Sequence, residues 1–90
     1  MTDEELQALL IETGHHHHEA YAESDGADPD WALWYAGYLQ ARLWDRLGKL
    51  LSRSDLVYLL KLGDREARAS DDPSQWPVIY TRLFREFVAE

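Results

Sequence analysis

The chain has 90 residues, no cysteine and a formal net charge of −8. These values predict one small domain and exclude disulfides, thiolate metal sites and a cysteine nucleophile. Residues 1–30 hold nine acidic residues and no Lys or Arg, and a chain this acidic is a poor partner for nucleic acid. No apolar run is long enough to span a bilayer, and the N-terminal segment is acidic where a signal peptide is basic. We therefore predict a soluble cytoplasmic protein with no membrane partner.

Large aromatic residues are frequent for so short a chain, with four Trp, five Tyr and two Phe. A domain of this size buries only roughly 60–65% of the surface that its unfolded chain exposes. A monomer would therefore leave some aromatic surface in water, and a second copy of the chain would cover it. This argument predicts a homodimer.

The first helix is predicted to begin after Thr2, because Thr2 and Glu5 have the spacing of a capping box. Residues at three- and four-residue spacing then form one buried face: Leu6, Leu9, Leu10, Thr13, His17, Ala20 and Tyr21. Gly14 interrupts this pattern, and the sequence leaves open whether the helix kinks or breaks there. If the helix continues, His17 lies within the apolar face and His18 lies on its flank.

The second helix is predicted to begin at Asp28 as the N-cap, with Pro29 in the first helical position and Asp30 near the positive end of the helix dipole. One face is a core seam: Ala32, Ala36, Leu39, Leu43 and Leu47. A second face is an aromatic stripe, defined as Trp31, Trp34, Tyr35 and Tyr38 and continued by Arg42 and Asp45. A helix apolar over so much of its girth packs on more than one side. It is predicted to end at Gly48.

Two further helices follow. Ser52 and Asp55 repeat the capping-box pattern, and helix three buries Leu56, Leu59, Leu60, Gly63 and Ala67. Helix four begins at about Ser74 and presents one apolar face: Trp76, Ile79, Tyr80, Leu83, Phe84 and Phe87. The prediction is an all-α fold, a small antiparallel bundle of three to four helices forming a single domain over residues 1–90.

Four consecutive histidines, residues 15–18, suggest a metal site, since imidazole is a common ligand of transition metals and carboxylates complete such sites. A di-iron bundle needs two inward E-x-x-H motifs, whereas this chain has one, Glu12 to His15, and it points outward. A divalent transition metal held by His17, His18 and Asp28 remains an alternative. The other interpretation is solvated imidazoles around one core histidine.

A buried imidazole needs hydrogen-bond partners, and His17 is predicted to be buried. Asp28 or Asp30 from the start of the next helix could orient it, as a carboxylate orients a general base. His17 as the base with Asp28 as its partner is therefore the candidate catalytic pair. The same contact could also be a structural hydrogen bond that fixes the angle between the two helices.

The aromatic stripe has two interpretations as well. Trp31, Trp34, Tyr35 and Tyr38 could line a ligand pocket with indole and phenol groups as polar contacts, or they could form core or a dimer interface. Arg42, on the same face, could bind an anionic ligand or form a salt bridge with an acid of another helix.

The segment D-P-D-W-A-L-W-Y-A, residues 28–36, follows His17-His18-Glu-Ala-Tyr21. In these residues the chain resembles a group of small helical bacterial proteins in which a His-rich helix end precedes D-W-x-x-W-Y-A. The resemblance covers about residues 10–40, and the group has no established activity. It implies one constellation of side chains: His17, His18, Asp28, Asp30, Trp31, Trp34 and Tyr35.

The leading functional hypothesis is a binding protein whose site at the junction of helices one and two takes a divalent metal or a small polar ligand. The candidate ligand-binding residues are His18, Asp30, Trp31, Trp34, Tyr35, Tyr38 and Arg42. One alternative is a protein-interaction module in which the aromatic stripe mediates homodimerisation. Another is a small enzyme that uses His17 as a general base.

Overall fold

The computed structural model covers residues 1–90 and consists of helices without strands. The helices are α1 (Asp3–Ala20), α2 (Trp31–Leu43), α3 (Arg53–Ala69) and α4 (Trp76–Ala89), with short 3-10 turns at Ala22–Ser24 and Pro73–Gln75. None of the four combines the length and the apolarity that crossing a membrane requires. The predicted all-α bundle is confirmed.

The helices form a ring in which α1 packs on α2, α2 on α3, α3 on α4 and α4 on α1. Each of them contributes fully buried side chains to the centre of this ring: Leu6, Leu10, Ala36, Leu39, Leu56, Leu60 and Phe84. The predicted face of α3 is buried along its whole length. The core is therefore made of leucines at helical spacing, with α2 and α4 on opposite sides of it.

Two capping boxes fix the beginnings of α1 and α3 as the sequence predicts. The Thr2 and Glu5 side chains exchange hydrogen bonds with each other's backbone N–H at 3.1 and 2.8 Å. Ser52 and Asp55 do the same, both at 3.0 Å. Each cap satisfies donors that a helix leaves unpaired at its N-terminus and is worth about 1 kcal/mol.

The bounds predicted for helix two are wrong at both ends. The N-cap is Asp30, and the Asp28 side chain accepts the Asp30 N–H at 3.0 Å in a turn that precedes the helix. At the other end Trp44 has φ 44° and ψ −120°, a conformation that an α-helix cannot contain. Asp45 and Leu47 therefore lie in the turns after α2.

Helix α1 runs through Gly14 without a break, which answers the question that the sequence left open. The glycine makes room for α2, because a Cβ at this position would stand 3.3 Å from the hydroxyl oxygen of Tyr35. That spacing is tighter than ordinary side-chain contact. Glycine lowers the helix propensity of α1 at this position, but it allows Tyr35 to approach the α1 backbone closely.

Ion pairs connect the acidic N-terminal third to arginines that follow it in the chain. Arg46 lies 3.6 Å from Glu5, and Arg42 lies 3.8 Å from Glu12. These side chains are about half exposed, and exposed pairs contribute only about 0–1 kcal/mol each. They orient α1 beside the end of α2 more than they stabilise the fold.

A matched pair of glycine substitutions tests this packing. A Cβ on Gly63 of α3 would overlap the ring of Tyr80 from α4, whereas a Cβ on Gly37 of α2 would meet only the Arg53 guanidinium at 3.8 Å. Gly37→Ala is expected to raise the free energy of unfolding by up to about 1 kcal/mol through helix propensity. Gly63→Ala is expected to lower it by about 1 kcal/mol or more, because overpacking outweighs the same gain.

Urea unfolding followed by circular dichroism measures both values. Gly37→Ala serves as the control, since it makes the same chemical change in a helix without the close ring. Equal stabilisation by both substitutions would contradict the tight contact between Tyr80 and α3.

Candidate functional site

A buried hydrogen bond joins the end of α1 to the turn before α2. His17 Nε2 lies 3.1 Å from Asp28 Oδ2, and only 8% of the histidine side chain and 7% of the aspartate side chain are exposed. The candidate catalytic pair is thus brought together. Asp28, rather than Asp30, is the partner of His17.

Aromatic rings surround the imidazole of His17. Tyr21 stacks on it with ring centroids 4.9 Å apart, and Trp34 and Tyr35 approach it at 5.2 Å. Helical periodicity explains the arrangement, because Tyr21, the C-cap of α1, lies four residues after His17, and α2 supplies the other two rings. The imidazole is held between them in one orientation.

Asp28 is held in its charged form. Burial acts to raise the pKa of Asp28, but the hydrogen bonds from His17 and from the Asp30 N–H lower it by more, so that the pKa lies below its ordinary value. A neutral His17 must then donate its Nε2–H to this carboxylate, which leaves Nδ1 as a hydrogen-bond acceptor. Asp28 therefore fixes the tautomer of His17.

The pair forms part of the wall of a cavity of about 410 Å³. Trp31 and Tyr35 of the aromatic stripe also line this cavity. The remaining wall comes from Gly26, in the turn before α2, and from α3, α4 and the segment between them: Asp64, Ala67, Arg68, Pro73, Trp76 and Tyr80. Helices α2 and α4 therefore each contribute a Trp and a Tyr to the lining of the cavity.

Sequence analysis missed the residues that α3 and α4 contribute. A signal for two of them exists, because Trp76-x-x-x-Tyr80 repeats the spacing of Trp31-x-x-x-Tyr35. In both pairs the rings meet edge to face, with centroids 5.5 and 5.3 Å apart. Their spacing also places Trp76 and Tyr80 on the apolar face of helix four.

The polar atoms of the lining residues that have no hydrogen-bond partner in the chain include three on His17, Tyr35 and Tyr80. They are Nδ1 of His17 and the hydroxyls of Tyr35 and Tyr80. The one fully enclosed side-chain polar atom without a partner is the Thr81 hydroxyl, so solvent reaches these three. Burial raises the pKa of Tyr35, and burial followed by the charge of Asp64 raises that of Tyr80. Both hydroxyls are therefore neutral donors at physiological pH.

The rest of the predicted ligand-binding set lies outside the cavity. Tyr38 donates a hydrogen bond to Glu12 at 2.6 Å, and the Arg42 guanidinium lies 3.4 Å from the centre of the Tyr38 ring. Trp34 stacks on Tyr38, with centroids 5.3 Å apart. Two residues of the aromatic stripe, Trp31 and Tyr35, thus line the cavity, and the other two do not. Arg42 forms a salt bridge with Glu12, which is one of the two alternatives predicted for this residue.

The metal ligands predicted from the His run do not converge. His18 follows His17 by one residue, so the helix turns it about 100° away, and its Nε2 lies 3.9 Å from the exposed Asp25. Asp30 is exposed and caps α2 through its backbone. No group of three or more His, Asp or Glu side chains in the chain is arranged to hold a metal ion.

Substitution of Asp28 tests the buried pair. Since the pKa of Asp28 is lower in the folded protein than its ordinary 3.8, this carboxylate stabilises the fold above pH 3.8, and the stabilisation is lost as the pH falls through the folded value. Asp28→Asn is therefore expected to lower the melting temperature by several degrees at neutral pH. The difference from the parent protein is expected to shrink below pH 3.8.

Asp30→Asn is the control, because it neutralises an exposed carboxylate two residues away that makes no side-chain cap. It is expected to melt like the parent at every pH. If the Asp28→Asn variant is as stable as the parent at neutral pH, the contact with His17 contributes nothing to the stability of the fold.

No protein-family model, curated protein or solved structure matches this chain. Function is therefore inferred from the geometry and chemistry of the cavity.

Proposed function

We propose that this protein binds a small organic molecule in the cavity that His17, Asp28, Tyr35 and Tyr80 line. The observation that carries the proposal is one cavity whose lining residues His17, Tyr35 and Tyr80 each carry a polar atom, Nδ1 or a hydroxyl, that bonds to no other group of the chain. Solvent reaches these atoms, so they are available to a ligand. A ligand with matching donors and acceptors would pair these three.

The size and composition of the cavity support this function. Pockets for small molecules have volumes of about 300–1,000 Å³, with mostly apolar walls and a few polar groups that fix orientation. The cavity of about 410 Å³ lies at the lower end of that range, and two Trp and two Tyr form much of its wall. A ligand of one ring with a short polar substituent fits these dimensions.

An organic ligand is better supported than the metal alternative. Asp28 already accepts from His17 and from the Asp30 N–H, and His18 lies away from both. His17 therefore stands alone as a free nitrogen at the cavity, and stable metal sites need several ligands.

The homodimer alternative depends on Trp34 and Tyr38, the two residues of the aromatic stripe that do not line the cavity. Trp34 and Tyr38 already contact His17, Glu12 and Arg42 within the chain. Their half-buried rings thus leave only part of their surface for a partner. A second copy bound to Trp34 and Tyr38 is compatible with ligand binding, because the other two residues of the stripe, Trp31 and Tyr35, line the cavity.

One observation favours an enzymatic role as a second candidate. His17 has a carboxylate on Nε2 and a free lone pair on Nδ1, which is the arrangement of an oriented general base. Asp28 would hold the ring and stabilise the imidazolium formed. A bound molecule that the parent protein converts and His17→Gln leaves intact would establish this role.

The four tryptophans provide the test of ligand binding. Trp31 and Trp76 line the cavity, whereas Trp34 and Trp44 do not. In a nitrogen-15 NMR screen with a general fragment library, binders are expected to shift the indole signals of Trp31 and Trp76 saturably and to leave that of Trp44 unchanged. Ala67→Leu is expected to weaken such binders about tenfold or more, since its side chain occupies the space that the ligand needs.

Ala69→Leu is the matched control, because it adds the same atoms to an exposed position of α3. It is expected to bind like the parent, and melting curves check that both variants are folded. A library in which no fragment moves Trp31 and Trp76, or binding that survives Ala67→Leu unchanged, would overturn the proposed function.

A further inference from the structure

The walls of the cavity are suited to one class of ligand. Trp31 and Tyr35 on α2 and Trp76 and Tyr80 on α4 present four aromatic rings to it. The face of an aromatic ring is negative and attracts ammonium groups within about 6 Å of its centre. The chain already shows this attraction, since the exposed Lys61 places its Nζ 5.3 Å from the centre of the Trp31 ring.

The charges of the lining residues also favour a cation. Asp28 and Asp64 are negative and Arg68 is positive, which leaves one negative charge in excess when His17 is neutral. The Arg68 Nε lies 3.1 Å from Asp64, but most of the Arg68 side chain is exposed. An anion entering the cavity would meet two carboxylates and find one cation already paired.

Hydrogen-bond acceptors complete the set. The tautomer that Asp28 imposes on His17 leaves Nδ1 as an acceptor, and the oxygens of Tyr35 and Tyr80 accept as well as donate. An N–H of a ligand would find an acceptor at each of these positions. A quaternary ammonium group would leave them unpaired.

We propose that the ligand of this cavity is a small organic cation, a protonated amine attached to an apolar or aromatic group. The inference rests on the proposed function and narrows it to one chemical class. The aromatic rings contact the apolar part of the ligand, and the ammonium group lies over the face of a ring. Its N–H groups are paired by His17, by the tyrosine oxygens and by the carboxylate of Asp64.

Three probes that differ mainly in charge test the inference: 2-phenylethylammonium, 2-phenylethanol and 3-phenylpropanoate. Each is titrated into the full chain while the indole signals of Trp31 and Trp76 are followed. The cation is expected to bind about tenfold more tightly than the neutral alcohol, as cation–π contacts and charge pairing in a sheltered site allow. The anion is expected to bind most weakly.

Two substitutions shift the affinity for 2-phenylethylammonium in opposite directions. Asp64→Asn removes a negative charge and frees Arg68, and it is expected to weaken binding about tenfold. Arg68→Gln removes the positive charge and frees Asp64, and it is expected to strengthen binding by a few fold. Because the Arg68 side chain is largely exposed, this second variant keeps the test intact if Asp64→Asn fails to fold.

Neighbours on α3 supply the matched controls. Glu66→Gln removes a carboxylate that pairs with Arg82 away from the cavity, and Arg65→Gln removes an exposed cation. Both are expected to change the affinity for 2-phenylethylammonium less than twofold, which excludes a general effect of net charge.

The outcomes separate the two proposals. Tighter binding of the alcohol or the anion than of the cation would overturn the assignment of a cation and leave the proposed function standing. Equal affinities for all three probes, with no response to Asp64→Asn or Arg68→Gln, would also overturn the assignment of a cation and leave the proposed function standing. If neither these probes nor any fragment of the library moves Trp31 and Trp76, both proposals are overturned.

Discussion

The hydrogen bond between His17 and Asp28 is the constraint on which the site depends. It ties the last turns of α1 to the segment before α2, and the same carboxylate accepts the Asp30 N–H that shapes the first turn of α2. One side chain thus sets both where α2 begins and which nitrogen of His17 remains free. A polar pair this deeply buried stabilises the fold only while both partners are present, since the loss of one leaves the other desolvated and unpaired. The position of α2 and the chemistry of His17 are therefore linked.

Glycines position the two tyrosines of the cavity in the same way. Tyr35 of α2 lies against Gly14 of α1, and Tyr80 of α4 lies against Gly63 of α3. In each case a helix gives up propensity, about 1 kcal/mol relative to alanine, and allows a tyrosine side chain to approach its backbone closely. Since neither hydroxyl is paired within the chain, these close approaches are not explained by hydrogen bonding between the helices. Both phenols belong to the lining of one cavity.

Sequence reasoning succeeded where local patterns decide the structure. The capping boxes at Thr2 and Ser52, the buried face of α3 and the burial of His17 follow from spacing within single helices. It failed at the start of α2, because Asp28 accepts the Asp30 N–H in a turn that precedes the helix, and the helix itself begins two residues later than the N-cap pattern predicts. It also missed Asp64 and Arg68. Their place in the lining of the same cavity as His17 results from how the helices pack, and on the helix alone they resemble an ordinary surface ion pair.

A cavity of about 410 Å³ is costly in a domain of 90 residues. A chain this short has little apolar surface to bury, and its stability is a small difference between large opposing terms. A larger side chain at Ala67 would fill part of this space. The chain instead keeps a small residue there, and solvent reaches the polar atoms of His17 and both tyrosines. Local departures from good packing are typical of functional sites. A bound ligand would fill the space, and because it binds only the folded state, its free energy of binding would add to the stability of the fold.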